Sequence, residues 1–175
     1  MVLGAYQPAI GCAGPLLCLP LAVLAVAGAA SPAAAFTEHE LCKGEPTSIN
    51  VVVDGLRSTR GDIVVEIYPD DAKQFLVPKT QVNSIHLKLE TNPQAVCLPV
   101  PRPGGYGVAV FHDENSDRQF NRNLLGIPTE GFGLSNNPPV HLSSPAFETV
   151  RFEAGEGETT IHIHMHYVLG HTPSN

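Results

Sequence analysis

Length, composition and charge set the first limits on this protein. The chain has 175 residues, with 17 acidic and 10 basic side chains and a net charge of −7, and its Lys and Arg residues are scattered. The length fits one domain. An acidic chain without a basic patch argues against nucleic acid or an anionic membrane surface as a partner.

Residues 1–35 are predicted to be a secretory signal segment. They contain no Asp, Glu, Lys or Arg. Their apolar run from Leu16 to Ala30 is shorter than the roughly 20 residues of a membrane-spanning helix, and the small-residue series SPAAAF that follows suits cleavage after Ala35. The remaining domain, 36–175, is expected to be periplasmic or secreted, not inserted in the membrane, with an envelope or extracellular ligand as its partner. An uncleaved anchor is the alternative, because no positive charge precedes the apolar run.

The cysteines indicate a disulfide bond in an oxidising compartment. Cys12 and Cys18 would be removed with the signal, so Cys42 and Cys97 remain in the exported domain. Two cysteines in such a compartment predict a bridge between them. Two free buried thiols are the alternative.

Short β-strands are predicted along the whole exported domain. Apolar residues recur with period two in stretches bounded by Gly, Pro, Asn and Asp, which is typical of strands. The stretches are SINVVVDGL, DIVVEIYP, SIHLKLE, AVCLPV, YGVAVFH, FETVRFEA and TTIHIHMHYV. One short helical connection is predicted at Asp70–Leu76, before Pro78. About seven strands predict an all-β antiparallel sandwich, immunoglobulin-like or transthyretin-like.

The longest predicted connection spans residues 113–145. It is rich in Gly, Asn and Pro, and it also carries the apolar residues Phe120, Leu124, Leu125, Ile127, Phe132 and Leu134. A loop of this length tends to be functional or disordered. Because so many apolar groups do not suit a solvated linker, the loop is expected to fold back onto the sandwich and to form its contact surface.

The start of this loop is a candidate calcium site. Asp113, Asn115, Asp117 and Asn121 match the first, third, fifth and ninth positions of an EF-hand loop. However, Arg118 replaces the required Gly, and the bidentate Glu is missing at the twelfth position. The alternative is that these side chains hydrogen-bond the backbone of their own turn. We expect such bonds, together with docking of Phe120 and Leu124, to order the loop, with calcium binding weak or absent.

The last predicted strand carries a second candidate metal site. Period-two alternation places His162, His164 and His166 on one face of TTIHIHMHYV. Neighbouring imidazoles on a strand could share zinc or copper if another strand supplied a further ligand. The alternative is that the three histidines simply occupy solvent-facing positions.

The sequence offers little support for an enzyme. It has no Gly-x-Ser-x-Gly motif and no phosphate-binding glycine loop. A metal-dependent hydrolase would require His112, Asp113 and Glu130 to meet in one cleft.

Three segments resemble a bacterial family of exported proteins that is catalogued as domain of unknown function 2141. These segments are VDGLRSTRGDIVVEIYPD, PRPGGYGVAVFHDENSD and GIPTEGFGLSNNP. The resemblance implies an exported sandwich domain without an assigned activity. Family members usually carry Gly where this chain has Ser116 and Arg118, a departure that argues against calcium. The expected function is therefore an exported binding or structural module of the cell envelope.

Overall fold

The structure of the protein is a computed structural model that describes residues 41–139 and 144–169. Within these residues the chain forms eight β-strands and one short helix. Their bounds are β1 Thr47–Asp54, β2 Asp62–Pro69, β3 Asn83–Lys88, β4 Gln94–Pro99, β5 Gly104–Asp113, β6 Gly131–Leu134, α1 Phe147–Val150, β7 Phe152–Ala154 and β8 Gly157–His164. The predicted signal segment, residues 1–35, lies outside the described residues. The described helix is too short to cross a membrane.

The strands form two sheets that pack face to face, so the predicted β-sandwich is confirmed. One sheet has the order β4-β1-β8, and the other has the order β3-β2-β5-β6 with β7 paired to β5. Fully buried side chains of β1 and β2 alternate along each strand and line the core: Ile49, Val51, Val53, Ile63, Val65 and Ile67. Alternation buries one face of each sheet, as the sequence pattern predicted.

One strand pair differs from the antiparallel prediction. β1 and β8 run parallel, from Thr47 opposite Gly157 to Asp54 opposite His164. Parallel neighbours need a long connection, and here all the other strands lie between the two in sequence. Alternation within a strand does not reveal the direction of its neighbour, so the sequence pattern could not indicate this pairing.

The predicted strand FETVRFEA is confirmed only in its second half, which is β7, and the predicted helix at Asp70–Leu76 was wrong. The predicted strand FETVRFEA begins instead as the single helical turn α1, because Phe147 and Val150 are buried three residues apart, a helical spacing. The predicted helix at Asp70–Leu76 is a series of turns without an α-helix. There the carboxylate of Asp71 accepts hydrogen bonds from the backbone of Lys73 and the amide of Gln74.

The predicted loop 113–145 is partly a strand and does fold back. Its GFGL segment is β6, which pairs with β5. The ring of Phe120 packs against Phe111 and Phe132, at centroid distances of 5.7 and 6.0 Å. The predicted docking of Leu124 was wrong, because this side chain is fully exposed.

The predicted disulfide is present. Cys42 and Cys97 are bonded, with their Cα atoms 5.9 Å apart, and both are buried; Cys97 lies between the core residues Val96 and Leu98 of β4 and so faces away from the core. The bond fastens the segment before β1 to the three-stranded sheet.

Candidate functional site

The candidate site lies on the outer face of the larger sheet, where β2 begins and β5 ends. Asp62 and Asp113 are directly opposite each other on these strands. On the other side of β2, His86 of β3 is opposite Val64, two residues from Asp62. Residues two apart on a strand point to the same side of a sheet, so all three side chains share one face.

The three side chains are close enough to act together. His86 Nε2 lies 3.4 Å from Asp62 Oδ2 and 3.5 Å from Asp113 Oδ2. One atom from each residue falls within 4.8 Å of the other two, and no other His, Cys, Asp or Glu trio in the described chain does so. His86 Nε2 is buried and makes no hydrogen bond to the described residues.

The buried carboxylate of Asp113 is held by the turn that follows it. Its Oδ1 accepts a hydrogen bond from Asp117 N at 3.1 Å, and its Oδ2 accepts one from Arg118 N at 2.7 Å. Asn115 Oδ1 also accepts from Asp117 N, at 3.2 Å. The predicted Asx hydrogen bonding of the loop is therefore present.

The other residues of the predicted calcium set are joined mainly to one another. The Asp117 carboxylate accepts hydrogen bonds from the side-chain amides of Asn115 and Asn121, at 3.0 and 2.9 Å. Glu130 Oε2 accepts from Asn121 N at 2.9 Å. These contacts place Glu130 beside the acidic loop, as the hydrolase hypothesis required. The expectation that the loop binds calcium weakly or not at all stays a prediction.

Glu130 has an unusual environment for a carboxylate. It is buried, and burial raises its pKa above the ordinary value. The nearby charges of Asp113 and Asp117 raise this pKa further, whereas the hydrogen bonds from Asn121 lower it. Shifted carboxylates are common at functional sites, although structural networks produce them too. An open depression lies beside it, lined by Glu114, Asn115, Asn121, Arg122, Thr129 and Glu130.

An ion pair supports the edge of this depression. Arg57 Nε donates to Glu114 Oε1 at 3.0 Å, and a second Arg57 nitrogen donates to the other oxygen of Glu114. The bonds to Arg57 lower the pKa of Glu114 despite partial burial. The Arg57 guanidinium also lies over the Tyr167 ring, 4.5 Å from its centroid. The pair thus connects the β1–β2 turn to the end of β5 and to the C-terminal segment.

The residues of the hydrolase hypothesis do not converge. His112 precedes Asp113 on β5, so its side chain points to the opposite face, into the sandwich, where it is fully buried. Both ring nitrogens have partners: His112 Nε2 is 2.7 Å from the Arg60 carbonyl oxygen, and Nδ1 is 2.7 Å from the Tyr167 hydroxyl. His112 therefore acts as an internal support, on the other side of the sheet from Asp113 and Glu130.

The terminal histidines keep the predicted alternation but do not form a three-ligand group. His162 and His164 are exposed, and the rings of His164 and His166 are 5.5 Å apart. His164 Nδ1 lies 2.5 Å from Asp54 Oδ1. Burial and the neighbouring His164 lower the pKa of His166. Metal binding by these residues stays a prediction, and this geometry offers a His–Asp pair rather than a complete site.

Sequence reasoning identified Asp113 and missed its two neighbours. Asp62 follows Gly61 at the start of a predicted strand, and His86 is an ordinary outward-facing residue of SIHLKLE. The sequence indicated only that Asp62 and His86 are polar residues on the outer face of a strand. Only the pairing of β2 with both β3 and β5 brings them to Asp113.

Comparison with known proteins identifies a family but no activity. No curated protein and no solved structure matches the chain. The model of one family matches residues 51–162, which include strands of both sheets and all three residues of the Asp62, His86 and Asp113 group. The chain therefore belongs to the family described as an uncharacterized protein conserved in bacteria (DUF2141).

Proposed function

We propose that this chain is an exported binding module of the cell envelope and that its contact surface is the outer part of segment 113–139. One observation carries the proposal: Leu124 and Leu125 have relative accessibilities of 106% and 82%. Two adjacent, exposed leucines leave apolar area in water that a partner could cover. Burying one such side chain contributes roughly 1.5–3 kcal/mol.

The turn that carries the two leucines is well organised. Asn123 Oδ1 accepts hydrogen bonds from Leu125 N at 2.9 Å and from Ile127 N at 3.0 Å. Asn123 N donates to Ile127 O at 2.9 Å, and Arg122 Nη1 donates to Gly126 O at 3.1 Å. The fold therefore holds the leucines away from the core by specific bonds. A preorganised apolar tip loses less conformational entropy on binding than a disordered one.

The charge of the chain favours a protein partner with an apolar pocket. A net charge of −7 disfavours an anionic lipid surface, because like charges repel. The depression beside the leucine turn is lined by polar groups, including those of Asn115, Asn121 and Thr129, which polar groups on the partner would complement. The Cys42–Cys97 bond and the apolar N-terminal run support export.

Photo-crosslinking in the native host tests this function. A photoreactive amino acid at position 124 is expected to yield a discrete protein adduct, and Leu125→Ser should reduce its yield. Val77 provides a matched control, because it is an exposed aliphatic residue on a different connection. The proposal fails if position 124 gives no discrete adduct or if position 77 gives the same adducts with equal yield.

A further inference from the structure

We propose that Asp62, His86 and Asp113 bind one divalent transition-metal ion and that zinc is the ion they fit best. This inference is independent of the proposed binding function. It rests on the positions of one imidazole nitrogen and two carboxylate oxygens, on the missing hydrogen bond of that nitrogen, and on the location of the group at the outer face of the larger sheet.

The distances from His86 Nε2 to the two carboxylates are those between ligands of one shared ion, and they are long for hydrogen bonds. A charge-assisted N–H···O bond is about 2.7–2.9 Å long. His86 Nε2 instead lies 3.4 and 3.5 Å from its two carboxylate neighbours, Asp62 and Asp113. Zinc–nitrogen and zinc–oxygen bonds are about 2.0–2.2 Å, so two ligands of a tetrahedral ion are about 3.3–3.6 Å apart. The imidazole is thus placed as a metal ligand would be.

The buried nitrogen of His86 is the second observation that points to a ligand. Buried polar atoms almost always have a partner. His86 Nε2 is a buried exception within the described chain, and it points between the two carboxylates. An ion between the three side chains would satisfy this atom and neutralise the two adjacent negative charges of Asp62 and Asp113.

The surroundings would orient the carboxylates of the site. Asp113 is fully buried and receives backbone hydrogen bonds from Asp117 and Arg118, the kind of outer contact that fixes ligating carboxylates. The side chains of His86 and Asp62 are 24% and 16% exposed, so the group lies near the surface of the sheet and not in the core.

One nearby cation does not block the site. Lys88 Nζ is 3.9 Å from Asp62 Oδ1, whereas His86 faces the other oxygen, Oδ2. The Lys88 side chain is 68% exposed and can move into solvent when an ion binds.

The donor set determines the class of metal. Imidazole suits zinc, copper, iron and nickel, whereas sites for calcium and magnesium are built from oxygen ligands. Three protein ligands leave a tetrahedral ion with one open position for water or for a group supplied by a ligand. The site would therefore bind zinc more tightly than calcium.

Calorimetric titration with zinc chloride tests the site. The measurement uses the full chain, expressed without a histidine tag, stripped with a chelator and dialysed. We expect one zinc ion per chain, tighter binding of zinc than of calcium, and a rise of the melting temperature with zinc. His86→Ala and Asp62→Asn should each weaken zinc binding by about 100-fold or more. The nearly isosteric Asp62→Asn limits any effect of the substitution on folding, which circular dichroism of the metal-free variants checks.

A double variant of the terminal histidines is the matched control. His164→Ala/His166→Ala should keep the affinity and stoichiometry of the wild type. The proposal is overturned if this double variant abolishes zinc binding while His86→Ala leaves it intact. It is also overturned if zinc does not bind at about 0.1 mM, corresponding to roughly −5.5 kcal/mol, or if calcium binds more tightly through Asp117.

Discussion

At the scale of single residues, the turn after β5 contains two strained backbone positions. Ser116 and Arg118 have φ angles of 58° and 64°, in the left-handed region that favours glycine. The strain has a local benefit, because this turn points the backbone N–H groups of Asp117 and Arg118 at the Asp113 carboxylate.

Replacing Arg118 with Gly should therefore stabilise the protein. Relief of the left-handed strain contributes about 1–2 kcal/mol, and the extra freedom of glycine in the unfolded chain offsets about 0.4–1 kcal/mol. We expect the free energy of unfolding, measured with urea, to increase by about 0.5–1 kcal/mol. Gln119→Gly is the control, because Gln119 lacks a positive φ, and it should destabilise the protein. A loss of stability in Arg118→Gly would contradict this explanation.

A second residue-scale prediction concerns Glu130 and pH. Burial and its acidic neighbours raise the pKa of Glu130 above 4.5 in the folded state. The folded protein therefore retains a proton that the unfolded chain has lost, and Glu130 reduces stability as the pH rises through its folded pKa. Glu130→Gln should be more stable than the wild type at pH 7, and the two should converge below about pH 4.

Urea unfolding at a series of pH values measures this difference. Glu156→Gln, at an exposed glutamate, provides the control and should follow the wild type at every pH. The explanation fails if Glu130→Gln is less stable than the wild type at pH 7, since the hydrogen bond to Asn121 would then outweigh the cost of burying the charge.

At the scale of elements, the short strand β6 joins the two sheets at one end. It pairs with β5 in the larger sheet, and Phe132 exchanges two backbone hydrogen bonds with His166, just after β8. Gly131 and Gly133 face this junction. A Cβ at either position would meet a side chain of the C-terminal segment, Tyr167 or Ile163. Glycine is therefore needed for the close approach of β6 to the other sheet.

Gly133→Ala should destabilise the protein by about 1–3 kcal/mol, the usual cost of overpacking a core. The added methyl carbon would lie 2.5 Å from a methyl group of Ile163, which is fully buried, and 3.0 Å from the backbone oxygen of His164. Thermal and urea unfolding measure the effect. Gly155→Ala is the control, because nothing lies within 4 Å of the added carbon, and a change within about 0.5 kcal/mol is expected. If Gly133→Ala is as stable as Gly155→Ala, β6 can shift to accommodate the added methyl group and the explanation is wrong.

At the scale of the whole molecule, the disulfide links parts of the chain that are far apart in sequence. Cys42 lies before β1, and Cys97 lies in β4 at a separation of 55 residues. The bond closes a loop that includes the turn before Asp62 and the strand of His86. It therefore restricts the unfolded chain over much of the candidate site.

Removing the disulfide should lower the free energy of unfolding by about 4 kcal/mol, because the unfolded chain then regains the entropy that closing a loop of this length removes. The variant Cys42→Ala/Cys97→Ala isolates this effect, with urea unfolding as the measurement. The wild type unfolded under reducing conditions provides the matched comparison and should show a similar loss. A loss below about 1 kcal/mol would mean that structure in the unfolded chain already brings the two segments together.

The sequence by itself determined the features that depend on local pattern. Period-two alternation identified the buried faces of β1 and β2, and the expected oxidising compartment indicated the Cys42–Cys97 pair. The spacing of Asp113, Asn115 and Asp117 indicated a turn held by Asx bonds, because those side chains reach only the next few backbone groups. Each inference needed no knowledge of which strands are neighbours.

Only the tertiary structure decided which side chains meet. Asp62, His86 and Asp113 come together because β2 lies between β3 and β5 in one particular register. A shift of one residue would turn a side chain to the other face of the sheet, and no short-range pattern specifies this register. His112 and Asp113 were grouped for a different reason: the predicted strand ended at His112, whereas β5 extends to Asp113, and alternation along β5 turns the two side chains to opposite faces. The exposure of Leu124 could not be predicted either, because the sequence alone does not show whether an apolar residue packs in the core or lies at the surface.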